Sequence, residues 1–165
     1  QYDLSGIIIE IFHIGKDMTD ITKFFTEEDI KRITSSIIKA ESSTSGEIRV
    51  RLEYNSGKDP LKSARKAFNK IGMRKTKLRN GVLFYLSIED KVFVLLGDDE
   101  INSNVPDNFW ESTKDLVLSH FKSGDFSLGL SNGIELVGQQ LSTYFPHQKN
   151  DKNELSNSIS FEGKK

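Results

Sequence analysis

The residues best suited to chemistry in this 165-residue chain are carboxylates: Glu47, the run Asp98-Asp99-Glu100, and Asp125. Carboxylates backed by amide carbonyls, such as that of Asn80, are the donor set of calcium and magnesium, which bind oxygen. Zinc and copper would want thiolate or imidazole. The chain has no cysteine, and its three histidines, His13, His120 and His147, fall in unrelated segments. The acidic run lacks the alternating acids, central glycine and terminal glutamate of an EF-hand loop. Two plainer readings stay open at this point: the run is a solvated turn, and Asp125 is a helix N-cap.

A second feature is a block of positive charge. From Lys62 to Arg79 stand eight basic residues (Lys62, Arg65, Lys66, Lys70, Arg74, Lys75, Lys77, Arg79) and no acid. Such a block could hold phosphate, anionic lipid or nucleic acid, or simply be a solvated helix face. Only Phe68 interleaves it, and Phe68 belongs to an apolar stripe, so no base-stacking platform accompanies the charge. Several enzyme templates fail. Ser42–Gly46 has the composition of a phosphate loop, but it follows a helix and lacks Gly-Lys-Ser/Thr. Asp98 follows an apolar strand without the companion motif of a phospho-accepting aspartate, and there is no Gly-x-Ser-x-Gly elbow.

The elements that must position these residues are legible from periodicity. Thr26 and the acids Glu27-Glu28-Asp29 start a helix over 27–41, with Ile30, Ile33, Ile37 and Ile38 on one stripe. Ile48, Val50, Leu52 and Tyr54 alternate with Arg49, Arg51 and Glu53, which predicts a strand with one more solvated face. Asp59-Pro60 opens a second helix carrying Leu61, Ala64, Phe68 and Ile71, stopped near Gly72. The unbroken apolar run Val82–Leu86 reads as a central strand, and Lys91–Leu96 as a third, across a turn at Glu89-Asp90. Residues 97–105 read as a loop, and Pro106 as the start of a helix with Phe109, Trp110, Val117 and Phe121. Gly124 and Asp125 separate it from a last helix, whose stripe is Phe126, Leu130, Ile134, Val137, Leu141 and Tyr144.

The crossover helix makes the first two strands parallel, and the hairpin makes the third antiparallel. The expected fold is α/β, a three-layer α/β/α sandwich around a mixed sheet of about four strands. In that topology the first two strands begin, and the third ends, at one rim. Glu47, Asn80 and Asp98-Asp99-Glu100 should therefore meet there, with Asp125 a further candidate.

Composition agrees with one globular domain: 36% hydrophobic, 28% charged, 12 Gly and 3 Pro. It excludes collagen-like, mucin-like and fully disordered chains, and the lack of cysteine excludes a disulfide scaffold. The net charge of −1 offers no bulk attraction to nucleic acid. The apolar run Gly6–Phe12 is too short and interrupted to span a bilayer and has no flanks of a secretory signal. The expected organisation is a flexible or non-native extension over 1–23, with Met18 as a plausible start, a domain over 24–146 and a polar disordered tail over 147–165. A cytoplasmic location and a monomeric state are expected.

These pieces resemble a known family. Ser45-Gly46-Glu47-Ile48, Gly72-Met73 with Thr76, Arg79-Asn80-Gly81-Val82-Leu83 and Gly97-Asp98-Asp99 with Val105 are similar to the TPM domain. So are Phe109-Trp110, Phe121-x-x-Gly124-Asp125-Phe126-x-x-Gly129-Leu130 and Gly133-Ile134. The likeness covers Phe24 to Phe145. It implies an α/β/α sandwich and a calcium site, magnesium being the alternative, carried at Glu47, Asp98, Asp99 and Asp125. The family is named for thylakoid-lumen phosphatases, photosystem II repair proteins and an acetylcholine-receptor accessory protein, so it implies a weak phosphatase at most, and no catalytic residue is carried over. Many bacterial members have a signal peptide, a membrane helix and a glycine-rich tail, which this chain does not show.

The expectation is thus a calcium-binding module that assists assembly or turnover of a protein partner. A metal-assisted phosphatase, with Arg79 or Asn80 holding phosphate, is the alternative, and a metal-independent interaction domain using residues 62–79 the second. Nucleic acid is not an expected partner. Substituting Asp98 and Asp99 together by Asn is expected to leave the fold intact.

Overall fold

A computed structural model describes residues 6–10 and 20–163. His13 and Met18 lie outside the described residues. In chain order the elements are β1 (Gly6–Glu10), α1 (Glu27–Glu41), β2 (Glu47–Glu53), α2 (Pro60–Lys70), β3 (Gly81–Ser87), β4 (Val92–Gly97), α3 (Asp99–Asn104), α4 (Glu111–Lys122), α5 (Phe126–Tyr144) and β5 (Ser160–Phe161). Short 3-10 turns stand at Ile21–Lys23 and Met73–Lys75.

The helix over 27–41 has its expected bounds because its start is chemically defined. The Thr26 hydroxyl accepts from the Asp29 N–H at 3.1 Å, and the Asp29 carboxylate accepts from the Thr26 N–H at 3.0 Å. This reciprocal capping box satisfies two otherwise orphan donors. Asp59 likewise accepts from the Lys62 N–H ahead of Pro60.

The strands form one mixed sheet in the order β1-β4-β3-β2-β5. β2 and β3 are parallel, with Glu47 beside Gly81, and β3 and β4 antiparallel, with Val82 beside Gly97. Alternate strand residues feed two cores. Ile48, Val50, Phe84, Phe93 and Leu95 face α1, α4 and α5, while Leu83, Tyr85, Val94 and Leu96 pack with Ala64, Ala67 and Phe68 of α2. The α/β sandwich expected from the sequence is what forms.

Close helix packing completes the larger layer. A Cβ on Gly138 would come within 2.6 Å of the Ala40 Cβ and 2.8 Å of its Cα, so a bare backbone at 138 is what lets α5 lie against α1.

The expected mixed sheet forms, with β1 pairing antiparallel to β4 and β5 parallel to β2 at its two edges; three other expectations need correction. The segment expected as a flexible extension thus supplies an edge strand, and Ile21 just before α1 is buried. Of the polar 147–165 segment, expected to be disordered, the described residues 147–163 pass along the α2 side of the sheet. Leu155 packs on that core, Ile159 is buried and Ser160–Phe161 forms β5. Its cover leaves only Arg49 and Glu53 of β2 partly exposed, on the face that the alternation marks as the more solvated. Arg51 is 2% exposed, donating to Glu53, the Ser160 hydroxyl and the Phe161 carbonyl. Finally, residues 99–104 are helical rather than loop, and α4 begins at Glu111, since Pro106–Phe109 forms a turn closed by the Phe109 N–H on the Pro106 carbonyl.

Candidate cation site

The rim forms as the topology requires. The Glu47 N–H donates to the Asn80 carbonyl at 3.4 Å, and the Asp98 N–H to the Gly81 carbonyl at 2.9 Å, so the ends of β2, β3 and β4 are stitched side by side. The structure nonetheless does not gather Glu47, Asp98, Asp99 and Asp125 into one ligand set. Among the described residues no three of His, Cys, Asp and Glu converge to hold a metal on their own.

Asp98 and Asp99 are neutralised from within. Arg79 grips Asp98 with both prongs, Nε to Oδ2 at 2.9 Å and Nη2 to Oδ1 at 3.1 Å, and also reaches Asp99 at 3.1 Å. Arg74 pairs with Asp99 at 2.9 Å. Asp98 Oδ1 accepts from the Asp99 N–H at 2.7 Å, which makes Asp98 the N-cap of α3. The carboxylates hold the Arg79 guanidinium above its ordinary pKa, the Asp98 hydrogen bonds most of all. Two oxygens already satisfied by a bidentate arginine have little to offer a cation. Nor is Arg79 open to phosphate, and Asn80 donates to the Ser45 hydroxyl at 3.3 Å.

Asp125 stands elsewhere. Ser127, two residues on, bonds Asp29 and Arg32 at the start of α1, whereas the other end of α5 meets the rim where the Phe145 carbonyl accepts from the Ser45 N–H. The 19-residue α5 separates them by about 28 Å at 1.5 Å per residue. Asp125 occupies the N-cap position of α5, without a side-chain capping bond.

Glu47 is different. It is 3% exposed, its Oε1 accepts from the Glu154 N–H at 2.7 Å, and its Oε2 is buried with no hydrogen-bond partner. Beside it is Glu41, at the last turn of α1, whose Oε2 accepts from the Ile48 N–H at 2.8 Å. Burial first, and then the neighbouring Glu47, pushes the Glu41 carboxyl up to about 8. Burial also raises Glu47, with the nearby Glu154 and Asp151 adding repulsion. Glu41, Glu47, Asp151 and Asn157 line a cleft of about 250 Å³ between the Ser42–Gly46 loop and the returning C-terminal segment. Asn157 brings a buried, unpartnered carbonyl oxygen, and Asn80 another at the rim. Orphaned carboxylate and amide oxygens, with room for water, are the donor chemistry of a hard divalent cation. The residues fit such an ion at Glu47; at Asp98, Asp99 and Asp125 they do not.

Sequence reasoning placed Glu47 at the rim, but did not bring Glu41, Asp151 or Asn157 beside it. Glu41 reads as an exposed helix end, and the 147–158 segment has no apolar periodicity to announce a packed strand.

An α/β sandwich with a carboxylate-bearing rim where two parallel strands begin defines the class of this protein. The TPM domain matches residues 18–140, and the chain belongs to that family. It is also similar to the BA42 protein of the psychrophilic bacterium Bizionia argentinensis, solved by NMR. The two are 46% identical, with a TM-score of 0.81 over 87% of this chain and 99% of that one. The comparison with curated proteins finds no match. No helix among the described residues is long and apolar enough to cross a membrane.

Proposed function

We propose that this chain is a divalent-cation-binding TPM module, taking calcium or magnesium at the Glu47 end of the rim, with the carboxylates of Glu47 and Glu41 as principal ligands. The observation that carries this reading is the buried Oε2 of Glu47, without a donor, next to the half-buried carboxylate of Glu41. A protein does not keep two such groups side by side without either a shared proton or a cation to neutralise them. Asn157, with its unpartnered carbonyl oxygen, would complete the shell together with water. Because it comes from the returning C-terminal segment, ion binding would tighten that segment onto β2. A local order change of this kind is what a protein partner can sense, and we assign the module a role in assisting such a partner.

The test is an NMR titration of chelator-treated protein with calcium, then magnesium. Saturable amide shifts at Glu41, Gly46–Ile48 and Asp151–Asn157, abolished by Glu47→Gln, are expected. Shifts centred on Asp98–Asp99, or flat spectra up to millimolar ion, would overturn the assignment.

A further inference from the structure

We propose that the outer face of α2 and the 3-10 turn after it dock the protein on an anionic phospholipid surface. The inner face of α2 is committed to the sheet through Ala64, Ala67 and Phe68. Lys62, Lys66 and Lys70 recur every fourth residue and are exposed, so they form one stripe along the opposite face. Lys75 and Lys77 continue the exposed charge beyond the helix end, and Leu78 beside them is 37% exposed.

The structure sorts the basic residues by type. The arginines at 74 and 79 are occupied by Asp99 and Asp98. Within residues 62–79 the five exposed cations with no ion pair among the described residues, Lys62, Lys66, Lys70, Lys75 and Lys77, are all lysines. An ammonium is a compact point charge without the planar fork that reads one carboxylate or phosphate bidentately. A row of them suits a diffuse carpet of headgroups. No exposed aromatic accompanies the row, so bases have no platform. Apart from Leu78 it lacks the apolar anchors of a protein interface, whose core is depleted in charge.

The rest of the molecule orients it. All 24 acids and fifteen of the 23 cations lie outside residues 62–79, an excess of nine negative charges that an anionic surface repels while it attracts the α2 face.

The experiment is co-sedimentation of the full chain with vesicles of phosphatidylcholine containing 30% phosphatidylserine, against pure phosphatidylcholine. It is run in EDTA, so its outcome is independent of the cation reading. We expect saturable binding to the anionic vesicles only, lost on raising the salt from about 0.1 to 0.5 M as screening shortens. Each lysine contributes about fivefold, so Lys62→Glu, Lys66→Glu and Lys70→Glu together weaken binding by at least about 100-fold, with the circular dichroism spectrum unchanged. Leu78→Ala weakens it a few-fold. Equal binding to neutral vesicles, an unaffected triple variant, or tighter association with polyglutamate or duplex DNA than with the vesicles would each overturn the proposal.

Discussion

Asp98 shows how a carboxylate whose type and position suggest a ligand can be a structural residue. Its side chain is 2% exposed, caps α3 and receives both prongs of Arg79. Arg79 itself sits at φ 50°, a left-handed conformation that costs a non-glycine residue about 1–2 kcal/mol and is held here by the same bonds. Removing the negative charge leaves the guanidinium with only the exposed Asp99 as its charged partner and costs the bidentate grip. Asp98→Asn is therefore expected to destabilise the fold by about 2–3 kcal/mol in urea unfolding. Asp99, whose side chain is 66% exposed, should tolerate Asn within about 0.5 kcal/mol. On this reading the two acids differ in what they give the fold. An Asp98→Asn midpoint equal to the unsubstituted chain's would remove the structural role.

At the scale of elements, the returning segment after α5 matters most. It supplies β5 and Ile159, gives Arg51 two of its acceptors, and places Glu154 on Glu47. Ending the chain after Pro146 would remove a buried isoleucine, whose burial is worth about 1.5–3 kcal/mol, and leave a buried guanidinium short of partners. We expect a loss of about 3 kcal/mol, and faster amide hydrogen exchange along β2 than along β4. A truncated chain that unfolds at the same urea concentration would show that the segment only rests on the sheet.

For the whole molecule, the Glu41–Glu47 pair couples stability to pH. In the folded, ion-free protein Glu41 holds its proton up to about 8, facing Glu47, with Asp151 and Glu154 close to that partner. In the unfolded chain it sheds the proton in the ordinary carboxylate range. Between those limits the folded state binds more protons, so stability is full in mild acid and falls as the pH rises toward 8. In chelator, the melting temperature should drop by at least about 4 °C from pH 5 to pH 8 on this account. Glu41→Gln cannot ionise and should flatten that slope while raising stability at pH 8. An unchanged slope in that variant would assign the pH dependence to other groups.

The sequence by itself determined what depends on near neighbours. The capping chemistry at Thr26 and the isoleucine stripe define α1 to the residue, alternation finds β2, and the crossover helix with the hairpin dictates the shared rim where Glu47, Asn80 and Asp98 meet. The lysine stripe of α2 is also written in four-residue spacing. Tertiary structure decided which charges meet. Glu41 and Glu47 read separately as a helix end and a strand start until the chain reverses between them. Arg79 and Asp98 lie nineteen positions apart, and no local pattern pairs them. The C-terminal segment carries too few apolar residues to mark itself as ordered. It folds because the sheet already presents a free strand edge and a buried arginine in need of acceptors, and those exist only once the rest of the fold has formed.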